Sequence, residues 1–345
     1  MDIKHESVDV ILTSLMPKAG QSKPISILAS NGKKYMLKRQ IITTIDKKQI
    51  NEDSVFMQEL FVTQLAAKLQ IPVPNVAILE ITDNFINANK DFLFQYKLTP
   101  GIYFGSEVLP NIENNLIKDY QLAMQVGKPY VIKSWNSFFK KVSNPEIYAS
   151  IIALDLLTVN NDRFSNEGNI LVTRKDDLRK VYAIDFGHSF LGPCWNNIAK
   201  QIIFNKVPSE PEQYQSFVEK IIYGFPITKK ERFSGMINGA ALGRIFRGLE
   251  NNIDLSDLTN NPFSYIVNKI ENLDDSDIVD MLENIPEDWI PGKDLQKSAY
   301  YNFILKNKKI VRYYINELNK CGAFSNSCGG DLIWINSKEK TTGIQ

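Results

Sequence analysis

The chain has 345 residues, of which 43% are hydrophobic and 23% charged, and its formal net charge is +1. This length suits two domains or two lobes of ordinary size, and the small net charge gives no reason to expect direct nucleic-acid binding. No apolar run approaches the roughly 18 residues of a membrane span. The N-terminus lacks the pattern of a signal peptide, and three dispersed cysteines favour a reducing compartment. We therefore expect a cytoplasmic protein.

The first third of the chain is predicted to be mainly β-structure. The sequence PISILASNGKKYMLKRQ (24–40) has a turn dipeptide between two apolar runs, which is the pattern of a β-hairpin. The stretch SVFMQELFVTQLAAKLQ (54–70) has apolar residues at helical spacing and ends before two prolines, so it predicts a helix. The remaining predicted strands are NVAILEIT (75–82), FLFQYKL (92–98) and GIYFGSEVLP (101–110), the last of which runs into a connection.

The pattern becomes mostly helical from about residue 110. Long periodic segments include PEIYASIIALDLLTV (145–159) and LQKSAYYNFILKNKKIVRYYINEL (295–318), and the exception is a β-like insert around 169–186. We therefore predict an α+β protein with two lobes. The first, over residues 1–109, is rich in β-structure and contains one main helix, and the second, over residues 110–345, is mostly helical.

Two polar turns each follow an apolar segment. Asp162 lies in NNDRFSNEGNI (160–170), and Asp185 lies in VYAIDFGHSF (181–190). Either aspartate alone is explained by an ordinary turn or cap. Together with Asn169, however, they offer a carboxylate and an amide as hard oxygen ligands for Mg²⁺, and a second carboxylate that can accept a hydroxyl proton. This combination is what phosphoryl transfer needs.

Lys38 ends the predicted hairpin and Glu59 lies in the helix that follows. A solvated lysine at a strand end is one interpretation. The other is a lysine that holds the α- and β-phosphates of ATP and forms an ion pair with Glu59. The preceding loop, AGQSK (19–23), would cover the phosphates with backbone N–H groups, and its candidate contacts are Gly20, Gln21 and Ser22.

The ordered motifs of the chain resemble those of the HipA-like kinases. These motifs are AGQSKPISILASNGKKYMLK, QELFVTQLAAKLQIPVP, GIYFGSEVL, NNDRFSNEGNILV, YAIDFGHSF and IPEDWIP, and they span roughly residues 10–320. The resemblance implies the two-lobed protein-kinase-like fold that is shared with phosphatidylinositol kinases, with ATP and Mg²⁺ as cofactors. It also implies roles for the following residues: Asp162 as catalytic base, Asn169 and Asp185 as metal ligands, Lys38 as the ATP lysine, and FGSEVL (104–109) as the hinge that binds adenine, with Glu107, Val108 and Leu109 as its contacts.

The chain departs from this family in two places. Relatives usually have histidine where this chain has Phe164, and their metal-binding asparagine follows the aspartate by five residues, whereas Asn169 follows Asp162 by seven. Asn166 is therefore a rival ligand. Toxin-type HipA proteins also carry an extra N-terminal subdomain that helps to bind a DNA-binding partner, and only about ten residues precede the match here, so a toxin role is not implied.

The resemblance implies a kinase that acts on Ser or Thr hydroxyls of proteins, including its own. Ser22, or the neighbouring Ser26, is the candidate site of self-phosphorylation, and the other interpretation is that Ser22 only donates a hydrogen bond in a turn. Fold does not decide the substrate, so a small-molecule or lipid kinase on the same scaffold is an alternative. A pseudokinase that binds nucleotide or a partner without turnover is another, because of Phe164 and the longer loop. Arg163 is expected to brace the loop of Asp162 by pairing with an acidic group.

Overall fold

A computed structural model describes residues 1–12, 24–43, 46–90, 97–113, 138–165, 169–224, 244–257, 261–324, 326–327 and 329–334. The N-terminal part of these ranges is rich in β-structure, as predicted. Its elements are β1 (Lys4–Ile11), β2 (Ile25–Ala29), β3 (Lys34–Leu37), β4 (Ile41–Thr43), β5 (Gln49–Asn51), α1 (Val55–Lys68), β6 (Val76–Ile81), α2 (Asp83–Ala88) and β7 (Gly101–Glu107).

Five of these strands close into a barrel in the order β1-β2-β3-β7-β6. The predicted hairpin is present, with Ile25 of β2 opposite Leu37 of β3, and the turn between the strands contains Gly32 at a φ of 73°, a conformation that glycine adopts without strain. Alternate side chains fill the barrel, including Ile27, Leu37 and Leu79, all fully buried. Since Leu37 points into the barrel, the next residue, Lys38, projects from the other face of the sheet.

Helix α1 is buried along almost its whole length. Its residues from Val55 to Ala66 are all buried, and it contacts both β7 of the barrel and helices of the C-terminal part. A helix that is covered on all sides needs apolar residues around its circumference. Its few buried polar side chains, which include Gln58 and Glu59, must then find hydrogen-bond partners inside the protein.

The C-terminal part is mostly helical, as predicted. Its elements are α3 (Ile147–Leu157), α4 (Asp162–Ser165), β8 (Ile170–Lys175), β9 (Leu178–Ala183), α5 (Ile198–Lys206), α6 (Tyr214–Glu219), α7 (Arg244–Asn252), α8 (Ser264–Glu271), α9 (Asp275–Glu283), α10 (Lys293–Asn307) and α11 (Val311–Lys320). The β8–β9 hairpin pairs Ile170 with Ala183, and N–H of Ile184 donates to the carbonyl of Asn169 at 3.3 Å. This hairpin therefore brings the two predicted polar turns side by side. Among the described helices, none is long and apolar enough to cross a membrane.

Two details of the secondary structure differ from the prediction or fall outside it. The periodic segment 295–318 forms two helices, α10 and α11. No proline or glycine interrupts it, but the Asn307 side chain at the end of α10 donates to the carbonyls of Leu156 and Leu157 at 3.1 and 2.7 Å. A tertiary contact thus accompanies the break. Most of the predicted strand 92–98 lies outside the described residues.

The motif IPEDWIP packs the helical part against the barrel. The ring of Trp289 is nearly fully buried and lies edge-on to Phe56 of α1, with 5.3 Å between ring centroids. Its indole N–H donates to the carbonyl of Ile102 in β7 at 3.2 Å. The two parts are therefore joined through the same helix and strand that carry the candidate site.

Candidate active site

Three residues from distant parts of the sequence meet at the end of β3. The Lys38 ammonium contacts Oε1 of Glu59 on α1 and lies 2.5 Å from Oδ1 of Asp185, just beyond β9. Lys38 is only 9% exposed. The ion pair between Lys38 and Glu59 expected from the sequence is therefore present, and Asp185 shares the same lysine.

Lys38 and its two carboxylate partners alter one another's pKa values. Burial lowers the pKa of Lys38, but the Asp185 and Glu59 carboxylates outweigh it and raise the pKa above its ordinary value. Burial raises the pKa of Asp185, but Lys38 outweighs that effect, and the pKa of Asp185 is lowered. Glu59 is the more deeply buried carboxylate, and burial raises its pKa. Lys38 is thus a cation and Asp185 an anion at neutral pH, the states that bind phosphate and metal respectively.

The turn after Asp185 is pressed against α1. Asp185 has a φ of 64°, which is uncommon for a residue other than glycine and is found at constrained sites. The N–H of Gly187 donates to Oε1 of Glu59 at 2.8 Å. A Cβ at position 187 would overlap Cγ2 of Val55 and lie 3.0 Å from Oε1 of Glu59. Glycine in this turn is therefore required for the close approach of α1.

Asp162 and Asn169 lie on the neighbouring turn and touch each other. Nδ2 of Asn169 donates to Oδ2 of Asp162 at 2.7 Å. Asn169 is 2% exposed, whereas Asp162 is partly exposed. Because the amide nitrogen is directed to Asp162, the amide oxygen points away from that carboxylate. The two side chains are therefore oriented relative to each other, although seven residues separate them.

Arg163 braces this loop, as predicted, and its acidic partner is Asp155 of α3. Nε of Arg163 lies 2.8 Å from Oδ2 of Asp155, and both side chains are completely buried. Nη1 donates to the carbonyl of Asn169 and, at 2.8 Å, to that of Ile184. Burial raises the pKa of Asp155 to about 7, with Arg163 opposing the shift. One guanidinium thus links the turn of Asp162 to the residue that precedes Asp185.

The predicted hinge residues 104–109 lie at the end of β7 and just after it, with part of their backbone already paired. The N–H groups of Glu107 and Val108 donate to the carbonyls of Asn75 and Lys34, both at 2.8 Å. The Glu107 carboxylate pairs with Lys33 at 2.9 Å. An adenine base would therefore be left with carbonyl groups of this segment and with the peptide of Leu109.

Other predicted contacts lie outside the described residues or are less accessible than expected. Gly20, Gln21 and Ser22 belong to the connection between β1 and β2, which is not described, and Asn166 is likewise outside the described ranges. Ser26 lies within β2 and is 4% exposed. Its hydroxyl is inaccessible to a kinase while the strand is paired, which disfavours Ser26 as a modification site.

The oxygen donors of the two polar turns fit a hard cation that is shared with a phosphate. Asp185 offers an ionised carboxylate and Asn169 an amide oxygen, the ligand types that suit Mg²⁺. Among the described residues, no group of three or more His, Cys, Asp or Glu side chains is arranged to hold a metal. Mg²⁺ is commonly bound by one or two protein ligands together with substrate phosphates and water. The site therefore suits a metal that arrives with a nucleotide.

Two buried polar residues beside the site were not anticipated from the sequence. Gln58 of α1 donates to the carbonyl of Gly187, and Lys200 of α5 contacts Gln58. Both helices carry other polar residues, Gln64 in α1 and Gln201 in α5 among them, so no local signal in the sequence singles out Gln58 or Lys200 or reveals their partners.

The barrel, helix α1 packed against it, the helical C-terminal part and the lysine shared by two carboxylates define a protein-kinase-like fold. The family model of the HipA-like kinases matches residues 10–229, and the chain belongs to this family, which confirms the predicted resemblance. Among solved structures, the chain is similar to the Helicobacter pylori proinflammatory kinase CtkA, with a TM-score of 0.53 and 12% identity over 92% of this chain and 97% of that one. A Golgi casein kinase with Mn/ADP bound gives a TM-score of 0.38 and 13% identity over 97% of this chain and 77% of that one. No curated protein matches the sequence significantly.

Proposed function

We propose that this protein is an ATP-dependent kinase that transfers the γ-phosphoryl group to Ser or Thr hydroxyls of proteins, itself included. The observation that carries the proposal is the simultaneous contact of Lys38 with Glu59 and Asp185. Kinases need the lysine–glutamate pair and the metal-binding aspartate in place together. Membership of the HipA-like kinases supports the reaction, and the resemblance of the motifs supports the protein substrate.

Each residue of the cluster has a role in binding the nucleotide. Lys38 binds the α- and β-phosphates, and Glu59 holds the lysine in position. Asp185 and Asn169 hold Mg²⁺, which neutralises charge on the phosphates. Further contacts come from the N-terminal lobe, over residues 1–109: Gly20, Gln21 and Ser22 to the phosphates, and Glu107, Val108 and Leu109 to adenine.

Asp162 serves as the base in this scheme. The substrate hydroxyl oxygen attacks the γ-phosphorus, the bond from that phosphorus to the β–γ bridging oxygen breaks, and ADP leaves. The hydroxyl proton passes to a carboxylate oxygen of Asp162. The hydrogen bond from Asn169 orients this carboxylate, and the partial exposure of Asp162 leaves it accessible to a substrate.

The first test compares the wild type with Asp162→Asn in the presence of labelled ATP and Mg²⁺. We expect the variant to lose phosphoryl transfer but to keep its ATP affinity, because the base acts on the nucleophile and not on the nucleotide. Transfer by the variant at more than a tenth of the wild-type rate would contradict this role for Asp162. A wild type that binds ATP without transfer to itself, to proteins, to lipids or to small molecules would indicate a pseudokinase.

Mass spectrometry of the same samples tests self-phosphorylation at Ser22. A phosphate there adds about −1.5 to −2 charges at pH 7 beside the site of the ATP phosphates, so we expect it to lower nucleotide affinity and act as an off switch. The Asp162→Asn variant is the control, because we expect it to lack phosphoryl transfer and therefore to stay unmodified. An active enzyme that leaves residues 20–30 unmodified while it phosphorylates other proteins would disprove the switch but not the kinase.

A second comparison identifies the amide that binds the metal. Since Asn169 contacts Asp162 and lies beside Ile184, we expect Asn169→Ala to raise the Mg²⁺ concentration needed for half-maximal activity. Asn166→Ala is the matched control and should leave this concentration unchanged. The opposite result would assign the ligand to Asn166.

A further inference from the structure

The N–H and the carbonyl of Gly187 both form hydrogen bonds with consecutive residues of α1. Its N–H donates to Oε1 of Glu59 at 2.8 Å, and its carbonyl accepts from Nε2 of Gln58 at 2.5 Å. The same Nε2 also donates to the carbonyl of Gly192 at 3.2 Å. Gly187 lies two residues after Asp185, so the position of this peptide determines where the Asp185 carboxylate lies.

Two donors to the amide oxygen of Gln58 fix the orientation of this amide. Nζ of Lys200 donates to Oε1 of Gln58 at 2.5 Å, and the Tyr300 hydroxyl donates to the same oxygen at 2.6 Å. A flipped amide would direct its oxygen at the glycine carbonyls and its nitrogen at an ammonium, both unfavourable. Gln58, Lys200 and Tyr300 are each 0% exposed, so water does not replace these bonds.

Burying Lys200 at this position is unfavourable in free energy, which suggests that the residue is kept for a function. Among the described residues, its ammonium contacts Gln58 and Tyr300 but no carboxylate. The other titratable groups that act on it are Cys194 and Asp53, and burial lowers the pKa of Lys200 to about 7. Burying a lysine without a carboxylate partner costs free energy, and a methionine of similar length would fill the space without that cost.

We propose that Lys200 and Gln58 are positioning residues for phosphoryl transfer, which hold the turn of Asp185 against α1 in the arrangement that binds metal and nucleotide. The inference rests on the proposed kinase function. Lys200 orients the amide of Gln58, and Gln58 with Glu59 then fixes both polar groups of Gly187. The metal ligand Asp185 and the cation Lys38 meet only when this peptide is in place, because Glu59 bonds to both Gly187 and Lys38.

The test uses Lys200→Met and the double variant Lys200→Met/Tyr300→Phe, which removes both donors to Gln58. We expect the Mg²⁺ concentration for half-maximal activity to rise about threefold in the single variant, where Tyr300 still bonds Gln58, and at least tenfold in the double variant. Lys308→Met is the matched control, since Lys308 is a buried lysine that contacts the Leu273 carbonyl and Asp275, away from the site. It should reduce thermal stability without any change in the Mg²⁺ requirement.

Hydrogen exchange of the peptide that covers residues 184–192 provides a second measurement, independent of turnover. We expect faster exchange of this segment in both Lys200 variants than in the wild type and in Lys308→Met, at a temperature where all are folded. A double variant with wild-type Mg²⁺ requirement and wild-type exchange would overturn the inference. If the wild type shows no phosphoryl transfer, the proposed function fails, and the exchange measurement still decides whether Lys200 holds the turn.

Discussion

Two buried lysines contact neighbouring residues of helix α1, and their surroundings differ in one respect. Lys38 contacts Glu59 and Asp185, both carboxylates, whereas Lys200 contacts the amide of Gln58 and the hydroxyl of Tyr300. Both lysines are buried. The pKa of Lys38 is nevertheless raised by its carboxylates, while burial lowers that of Lys200 to about 7.

This difference shows that partners, more than burial, decide what a buried lysine contributes. Carboxylates keep Lys38 charged through the whole physiological range, as a residue that binds phosphates must be. Lys200 is near its midpoint at neutral pH, and in both protonation states it retains N–H donors for the oxygen of Gln58. The first lysine is thus suited to a ligand, and the second to holding a side chain.

The largest expected effect comes from the same substitution at the two positions. Lys38→Met leaves Glu59 and Asp185 without their cation, so we expect phosphoryl transfer to fall by about 100-fold or more. The free energy of unfolding should fall by about 3 kcal/mol, as when one partner of a buried ion pair is removed. Lys200→Met removes a buried cation that has no carboxylate, and the free energy of unfolding should stay constant or increase. Urea denaturation of both variants checks this contrast, and equal losses of stability would refute it.

A gradual effect is expected in the pH dependence of stability. Lys200 titrates near 7 in the folded protein and near its ordinary value of 10.5 in the unfolded chain. Between these values the unfolded chain binds more protons, so the contribution of Lys200 to stability becomes more favourable as pH rises from about 7 toward 10, by up to about 1.4 kcal/mol per pH unit. Denaturation curves of the wild type and Lys200→Met over this pH range isolate the contribution of Lys200 to the free energy of unfolding. Parallel pH profiles would mean that Lys200 remains charged in the fold.

Local sequence patterns predicted many of the elements that build this region. The turn dipeptide Asn31-Gly32 predicted the β2–β3 hairpin, which the structure closes with residues 30–32 between the paired Ala29 and Lys33, with Gly32 at a positive φ. The periodicity of 54–70 predicted α1, and the order of motifs predicted the kinase family. Asp162, Lys38 and Asp185 were singled out because each is a charged residue at the end of an apolar segment. Their proximity agrees with that expectation, and their catalytic roles stay a prediction.

Contacts between distant segments were beyond the reach of such patterns. Gln58 and Lys200 are each one of several polar residues in their helices, and nothing local indicates that they meet each other. The segment 295–318 contains no proline or glycine, so its sequence does not predict a break. Its division into two helices coincides with hydrogen bonds from Asn307 to the end of α3.

The sequence by itself determined the family, the β2–β3 hairpin, helix α1 and the charged residues of the candidate site. These properties depend on the spacing of neighbouring residues and on the motifs that follow from it. Only the tertiary structure decided which carboxylates share Lys38, that Asp155 is the partner of Arg163, and that Lys200 has no carboxylate partner among the described residues. The charge of a buried group depends on which atoms lie within a few ångströms of it in space, and the packing of the chain alone brings those atoms together.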